Sequence, residues 1–101
     1  MPSTATPVLT ATGPYGLVLP DLDDVRESVC RVDPDGEAAW TGVLARAGLS
    51  GAETDRDSLE RALRALEERS PVGALCARAL RIRLNSYDHL AHAQALVRST
   101  A

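Results

Sequence analysis

The sequence predicts an all-α fold, a compact bundle of four to five short helices preceded by an N-terminal arm or small β-hairpin. Three observations carry this expectation. Leu, Ala, Arg and Glu, all good helix formers, are abundant, whereas the 101 residues hold one Trp, two Tyr and no Phe. Apolar residues recur at three- and four-residue spacing from about residue 21 onward. Asp, Ser, Pro and Gly stand between these stretches, where helix starts and stops require them.

Taken in order, residues 1–20 are rich in Pro, Thr, Ser and Gly and carry no charge. Leu17-Val18-Leu19 is strand-like, so an arm or a short hairpin is expected here. The bundle is expected over 21–99. Asp21 is placed to cap the first helix, Asp23 and Asp24 suit its positive end, and Leu22, Val25, Val29 and Val32 form its apolar stripe. Asp33-Pro34 has the form of an N-cap followed by Pro at the first helical position, which opens a second helix over about 34–47. Trp40, Val43, Leu44 and Ala47 give that helix its apolar face, and Gly48-Leu49 ends it as a left-handed cap with a hydrophobic contact.

Thr54 and Asp57 form a capping-box pattern at the start of a third helix, about 55–69. Its inner face is Leu59, Ala62, Leu63 and Leu66, and Asp57/Arg61 and Glu60/Arg64 are spaced for i,i+4 pairing. Ser70-Pro71 stops this helix and starts the next. Beyond it Val72, Leu75, Cys76, Ala79, Leu80, Leu84, Tyr87, Leu90 and Val97 share one broad helical face. Asn85-Ser86 is placed to break the run, with Ser86 capping a final helix. Leu80 to Leu84 also alternates as a strand would, but Ala-rich flanks with helical period favour helix.

Charge is unevenly distributed. Residues 1–55 hold three Arg and nine acids, a balance of −6, while residues 56–101 hold eight Arg and five acids, a balance of +3. Every basic residue is Arg, which with the Ala content fits the GC-rich coding bias of a bacterial genome. No run reaches the roughly 18–20 apolar residues of a membrane span, and no secretory signal pattern opens the chain. A cytoplasmic protein with reduced Cys30 and Cys76 is the expectation.

Chemistry on the chain is not indicated. His89 and His92 lie three apart on a helix but lack a third metal ligand. Asp33-Pro34-Asp35-Gly36-Glu37 lacks the spacing of a calcium loop. There is no nucleophile elbow and no phosphate-cradling glycine loop. No enzyme activity, metal or cofactor is therefore expected. Nucleic acid is disfavoured: Arg78, Arg81 and Arg83 follow a possible helix-turn-helix turn at Ser70-Pro71-Val72-Gly73, but the chain is net acidic and has no Lys.

Two resemblances bear on function. Arg46-Ala47-Gly48-Leu49, the amphipathic helix through Leu66, then Leu75, Cys76, Ala79, Leu80, Leu84-Asn85 and Leu90 are similar to small helical effector-associated, death-like adaptor domains of bacterial conflict and signalling systems. This likeness spans about residues 40–95 and implies pairing with like domains on partner proteins. Asp57-Ser58-Leu59 resembles the motif of acyl and peptidyl carrier proteins, with Ser86 and Leu90 near the start of their last helix. That likeness implies a phosphopantetheine arm on Ser58. Arg56 stands where those proteins have Gly, and their apolar loop before the motif is missing.

The leading expectation is a non-catalytic protein-interaction or adaptor domain, binding another protein or another copy of itself, with no membrane association. Arg78, Arg81, Arg83, His89 and His92 are its candidate partner-binding residues, facing an acidic surface such as that of residues 21–37. A carrier modified at Ser58 and a small DNA-binding regulator are the alternatives.

Overall fold

The computed structural model describes residues 16–100, and among these four helices and no strand occur. They are α1 (Leu22–Val32), α2 (Gly36–Ala47), α3 (Arg56–Arg69) and α4 (Pro71–Thr100). The all-α expectation therefore holds. Most of the expected arm or hairpin lies outside the described residues, and residues 17–19, strand-like in sequence, are irregular. Packing divides the chain into a unit that runs from Pro20 to Ile82 and one that includes the stretch from Arg83 onward.

The first unit is built on α1, α2 and α3, each in contact with the other two. Asp21 opens α1 through a reciprocal capping box with Asp24, whose N–H it accepts at 3.0 Å while Asp24 accepts the Asp21 N–H at 2.9 Å. Leu22, Val25 and Val29 go into the core, but Val32 remains 48% exposed. α1 ends at this turn, so its last stripe position projects past the packing partner.

The second helix starts two residues later than Asp33-Pro34 suggests. Asp35 occupies the N-cap position, and Asp33 instead caps the end of α1 in an extended conformation. The Asp33 carboxylate accepts the Asp35 N–H at 2.9 Å and lies 3.7 Å from the Arg69 guanidinium. A local Asx-turn and a tertiary ion pair have thus outcompeted the capping role. The other end of α2 is as expected. Gly48 adopts φ 72°, and the Leu49 N–H donates to the Leu44 carbonyl at 2.9 Å, the bond of a Schellman cap.

α3 is capped by Asp55, not by Thr54. Its inner face buries Leu59, Ala62, Leu63, Ala65 and Leu66 against Trp40, Val43 and Ala47 of α2 and the α1 stripe. Leu63, Val25 and Val43 are the largest wholly enclosed side chains and mark the centre of this core.

Ser70 then receives the Gly73 N–H on its hydroxyl at 2.9 Å, and Pro71 starts α4 as expected. Two expectations for α4 fail. It is one continuous helix of 30 residues, about 45 Å long, so Asn85-Ser86 neither breaks it nor caps a further helix. Residues 80–84 are helical, as favoured. The broad face assigned to its core is also displaced. In the first unit α4 buries Gly73, Ala77 and Leu80, while Val72, Leu75 and Ala79 are exposed. Gly73 explains the choice. A Cβ there would lie 2.5 Å from the Leu66 carbonyl oxygen and 3.2 Å from Leu66 Cδ1. α4 thus leaves α3 along a track of small residues, and its larger apolar side chains turn away.

In the C-terminal stretch of α4, Leu84 is buried and Tyr87, Leu90, Ala91 and Ala93 are half-buried. Leu96 and Val97 are more than half exposed.

Candidate protein-interaction surface

Of the five candidate partner-binding residues, Arg78 and Arg81 belong to the first unit and Arg83, His89 and His92 to the second. Arg81 faces α3. Its Nε lies 2.7 Å from Glu67 Oε2 and its Nη1 2.6 Å from Glu60 Oε1, with all three side chains about one-third exposed. The bond to Glu67, helped by Glu60 and opposed by partial desolvation, holds the Arg81 proton more tightly than usual. Glu60 is consequently not paired with Arg64 in the i,i+4 arrangement expected from spacing. Arg78 is exposed and makes no ion pair among the described residues. Arg83, His89 and His92 are exposed too, and belong to the stretch beyond Ile82.

Other acids and cations are matched close to home. Arg26 reaches Glu37 at 2.6 Å, Arg31 reaches Glu27 at 3.0 Å, and Arg46 reaches Glu68 at 2.8 Å. Of the acids in the stretch 21–37, Glu27, Asp33 and Glu37 are paired with cations of the first unit. Arg61 and Arg64, both exposed, line a cleft of about 440 Å³ between α2 and α3 together with Arg46 and Glu68.

Ser58 is 5% exposed. Its backbone N–H donates to Asp55 Oδ2 at 3.0 Å and its hydroxyl to Asp55 Oδ1 at 2.7 Å. These two bonds, the hydroxyl first, hold the Asp55 carboxyl below the usual range. The hydroxyl is thus enclosed and already engaged as a donor. Attachment of a prosthetic arm would require Ser58 to leave this cap.

Cys30 lies 3.5 Å from Glu37 Oε2. Partial desolvation, followed by that hydrogen bond, pushes its thiol up, away from thiolate character. Both cysteines are free. Among the described residues no group of three or more His, Cys, Asp or Glu side chains could hold a metal ion, and no helix is long and apolar enough to cross a membrane.

The most distinctive surface feature includes Val72, Leu75 and Ala79, which helical periodicity places on the broad apolar face, and adds Ile82. Val72, Leu75, Ala79 and Ile82, spaced three, four and three apart, form an outward ridge on α4. Val72 is 50%, Leu75 66% and Ile82 59% exposed. At the Val72 end the ridge meets a groove of about 200 Å³ whose apolar lining includes Val32, Pro34, Leu66 and Val72. The exposed Val32 of α1 therefore extends the same apolar patch. The outer faces of α1 and α3 are, by contrast, dominated by charged residues.

A sequence signal for this ridge exists in the small residues. Gly73 and Ala77, four apart, mark the side of α4 that can approach another backbone closely, and so identify the opposite side as the free one. Family models, curated proteins and solved structures were all compared with the chain, and none matches it.

Proposed function

We propose that this protein is a non-catalytic helical interaction domain of the adaptor type, which engages a partner protein through the outward ridge of α4. One observation carries the reading: three large apolar side chains, Val72, Leu75 and Ile82, stand exposed in helical register on a single face. Scattered apolar residues on a surface need no explanation, but a contiguous row bordered by polar residues marks a contact site. The similarity to death-like adaptor domains supports the same function class. The enclosed hydroxyl of Ser58 gives no support to the carrier alternative. The inward turn of Arg81 leaves the DNA alternative one cation poorer.

A photo-crosslinking side chain introduced at Leu75 or Ile82 in cells should yield discrete protein adducts, while the same group at Arg64 on α3 should not. If neither ridge position gives an adduct that Arg64 lacks, the ridge is not the interaction surface.

A further inference from the structure

The cleft between α2 and α3 gathers Arg46, Arg61 and Arg64 against the single acid Glu68, a local balance of +2 in a chain whose net charge is −3. Ala47 and Ala65, both buried, line its base and are too short to fill it. The excess charge has a tertiary origin. Arg64 has a glutamate four residues to either side, but Arg81 binds Glu60 and Arg46 binds Glu68. Arg61 and Arg64 therefore make no ion pair among the described residues. The Arg61 Nη2 stands 3.0 Å from where a Cβ on Gly48 would lie, yet Arg61 has no part in closing α2. The Gly48 and Leu49 N–H groups do that, donating to the Ala45 and Leu44 carbonyls. Asp55 is close enough to sense Arg61, but both its oxygens are taken by Ser58.

We infer that this cleft binds a small phosphate-bearing anion, held by Arg61 and Arg64. The two are exposed and lie three residues apart on one face of α3. A guanidinium presents a planar fork of N–H donors that matches phosphate oxygens two at a time, and it stays charged at every working pH. The cleft, about 440 Å³, falls within the roughly 300–1,000 Å³ of small-molecule sites. A second hollow of about 340 Å³ shares Arg46, Ala65 and Glu68 with it and gives room for the rest of an organic phosphate. Arg69 lines that hollow but is answered by Asp33, so the phosphoryl group belongs with Arg61 and Arg64. An acidic protein segment fits less well, because protein contacts are anchored by large side chains in pockets and this cleft offers two alanines. The site is independent of the α4 ridge.

Calorimetric titration of the full chain at low salt, with pyrophosphate, ADP and an oligoglutamate peptide as probes, tests this. Pyrophosphate should bind at a single site, and Arg61→Gln and Arg64→Gln should each weaken it about tenfold without shifting the thermal midpoint. Arg31→Gln, which removes an equally exposed arginine on α1, should change binding by less than about twofold. Glu68→Gln should strengthen binding by about threefold or more, since it removes the one negative charge of the cleft and releases Arg46. ADP binding tighter than pyrophosphate would name an organic phosphate as the ligand and the reverse order a simple one; both support the site. Absence of binding by both phosphates would overturn it. Weakening by Arg31→Gln as large as that by Arg64→Gln would show a general attraction of anions to the surface, and would overturn it too. Tighter binding of oligoglutamate than of either phosphate would make the cleft a protein contact and overturn it as well.

Discussion

Asp55 takes both polar hydrogens of Ser58 on its two carboxylate oxygens, and this small cap has a pH consequence. Its folded pKa lies below the unfolded value, so the stabilisation is complete above about pH 5 and is lost as acid takes the pH down through the folded value. Asp55→Ala should lower stability at neutral pH by removing the cap. Asp55→Asn should retain much of the cap but lose its pH dependence. Urea unfolding of all three proteins at pH 7 and pH 3 checks this; an Asp55→Ala deficit that is the same at both values would contradict it. Two side-chain assignments made from spacing, the Thr54–Asp57 capping box and the Glu60–Arg64 pair, missed for a common reason. A carboxylate near a helix start has several donors within reach, and tertiary neighbours such as Arg81 compete with those on its own helix.

At the scale of elements, α4 makes two opposing expectations testable. Ser86 lies inside a continuous helix, so Ser86→Ala should leave stability unchanged or raise it by up to about 0.5 kcal/mol. Were Ser86 an N-cap, the same change would cost about 1 kcal/mol. Thermal melts followed by circular dichroism separate the two signs. Gly73→Ala tests the close track beside α3. Helix propensity alone favours Ala by about 1 kcal/mol, yet the new Cβ would meet the Leu66 carbonyl oxygen at 2.5 Å. That oxygen is held in the backbone of α3 and cannot rotate away, so a net loss of roughly 1–3 kcal/mol is expected. A stabilised Gly73→Ala protein would mean that the two helices do not approach as closely as described. The starts and stops at Asp21, Gly48 and Ser70-Pro71 were legible because each is a local backbone event with its own residue chemistry. The boundary at Asp33-Pro34 was not, because Asp33 serves an Asx-turn and Arg69 instead.

For the whole molecule, the core and the ridge should respond oppositely to polar or small substitutions. Leu63→Ala, at the centre of the first unit, should cost about 2–5 kcal/mol. Leu75→Ser and Ile82→Ser should change unfolding free energy by no more than about 0.5 kcal/mol, while removing partner binding. Chemical denaturation alongside the crosslinking assay makes the comparison, and a large stability loss in Leu75→Ser would place that residue in the core after all. The division of charge into −6 and +3 halves suggested an intermolecular contact. Within the first unit Arg26–Glu37, Arg46–Glu68, Arg69–Asp33 and Arg81 with its two glutamates all close, and of these only Arg69–Asp33 joins a cation of the basic half to an acid of the acidic half.

The all-α class, the order of helices and the inner faces of α1, α2 and α3 follow from the sequence by itself. Helix propensity, caps and a one-sided apolar stripe are properties of short stretches, and in these helices they agree. The orientation of α4 did not follow, because apolar residues lie on several of its sides and periodicity cannot choose between them. Tertiary structure made that choice through contact distance: Gly73 and Ala77 allow close approach to α3, and Val72, Leu75 and Ile82 are left outside. The same contact drew Arg81 inward and left Arg78 beside the ridge, so the surface proposed to meet a partner exists only once α4 has docked.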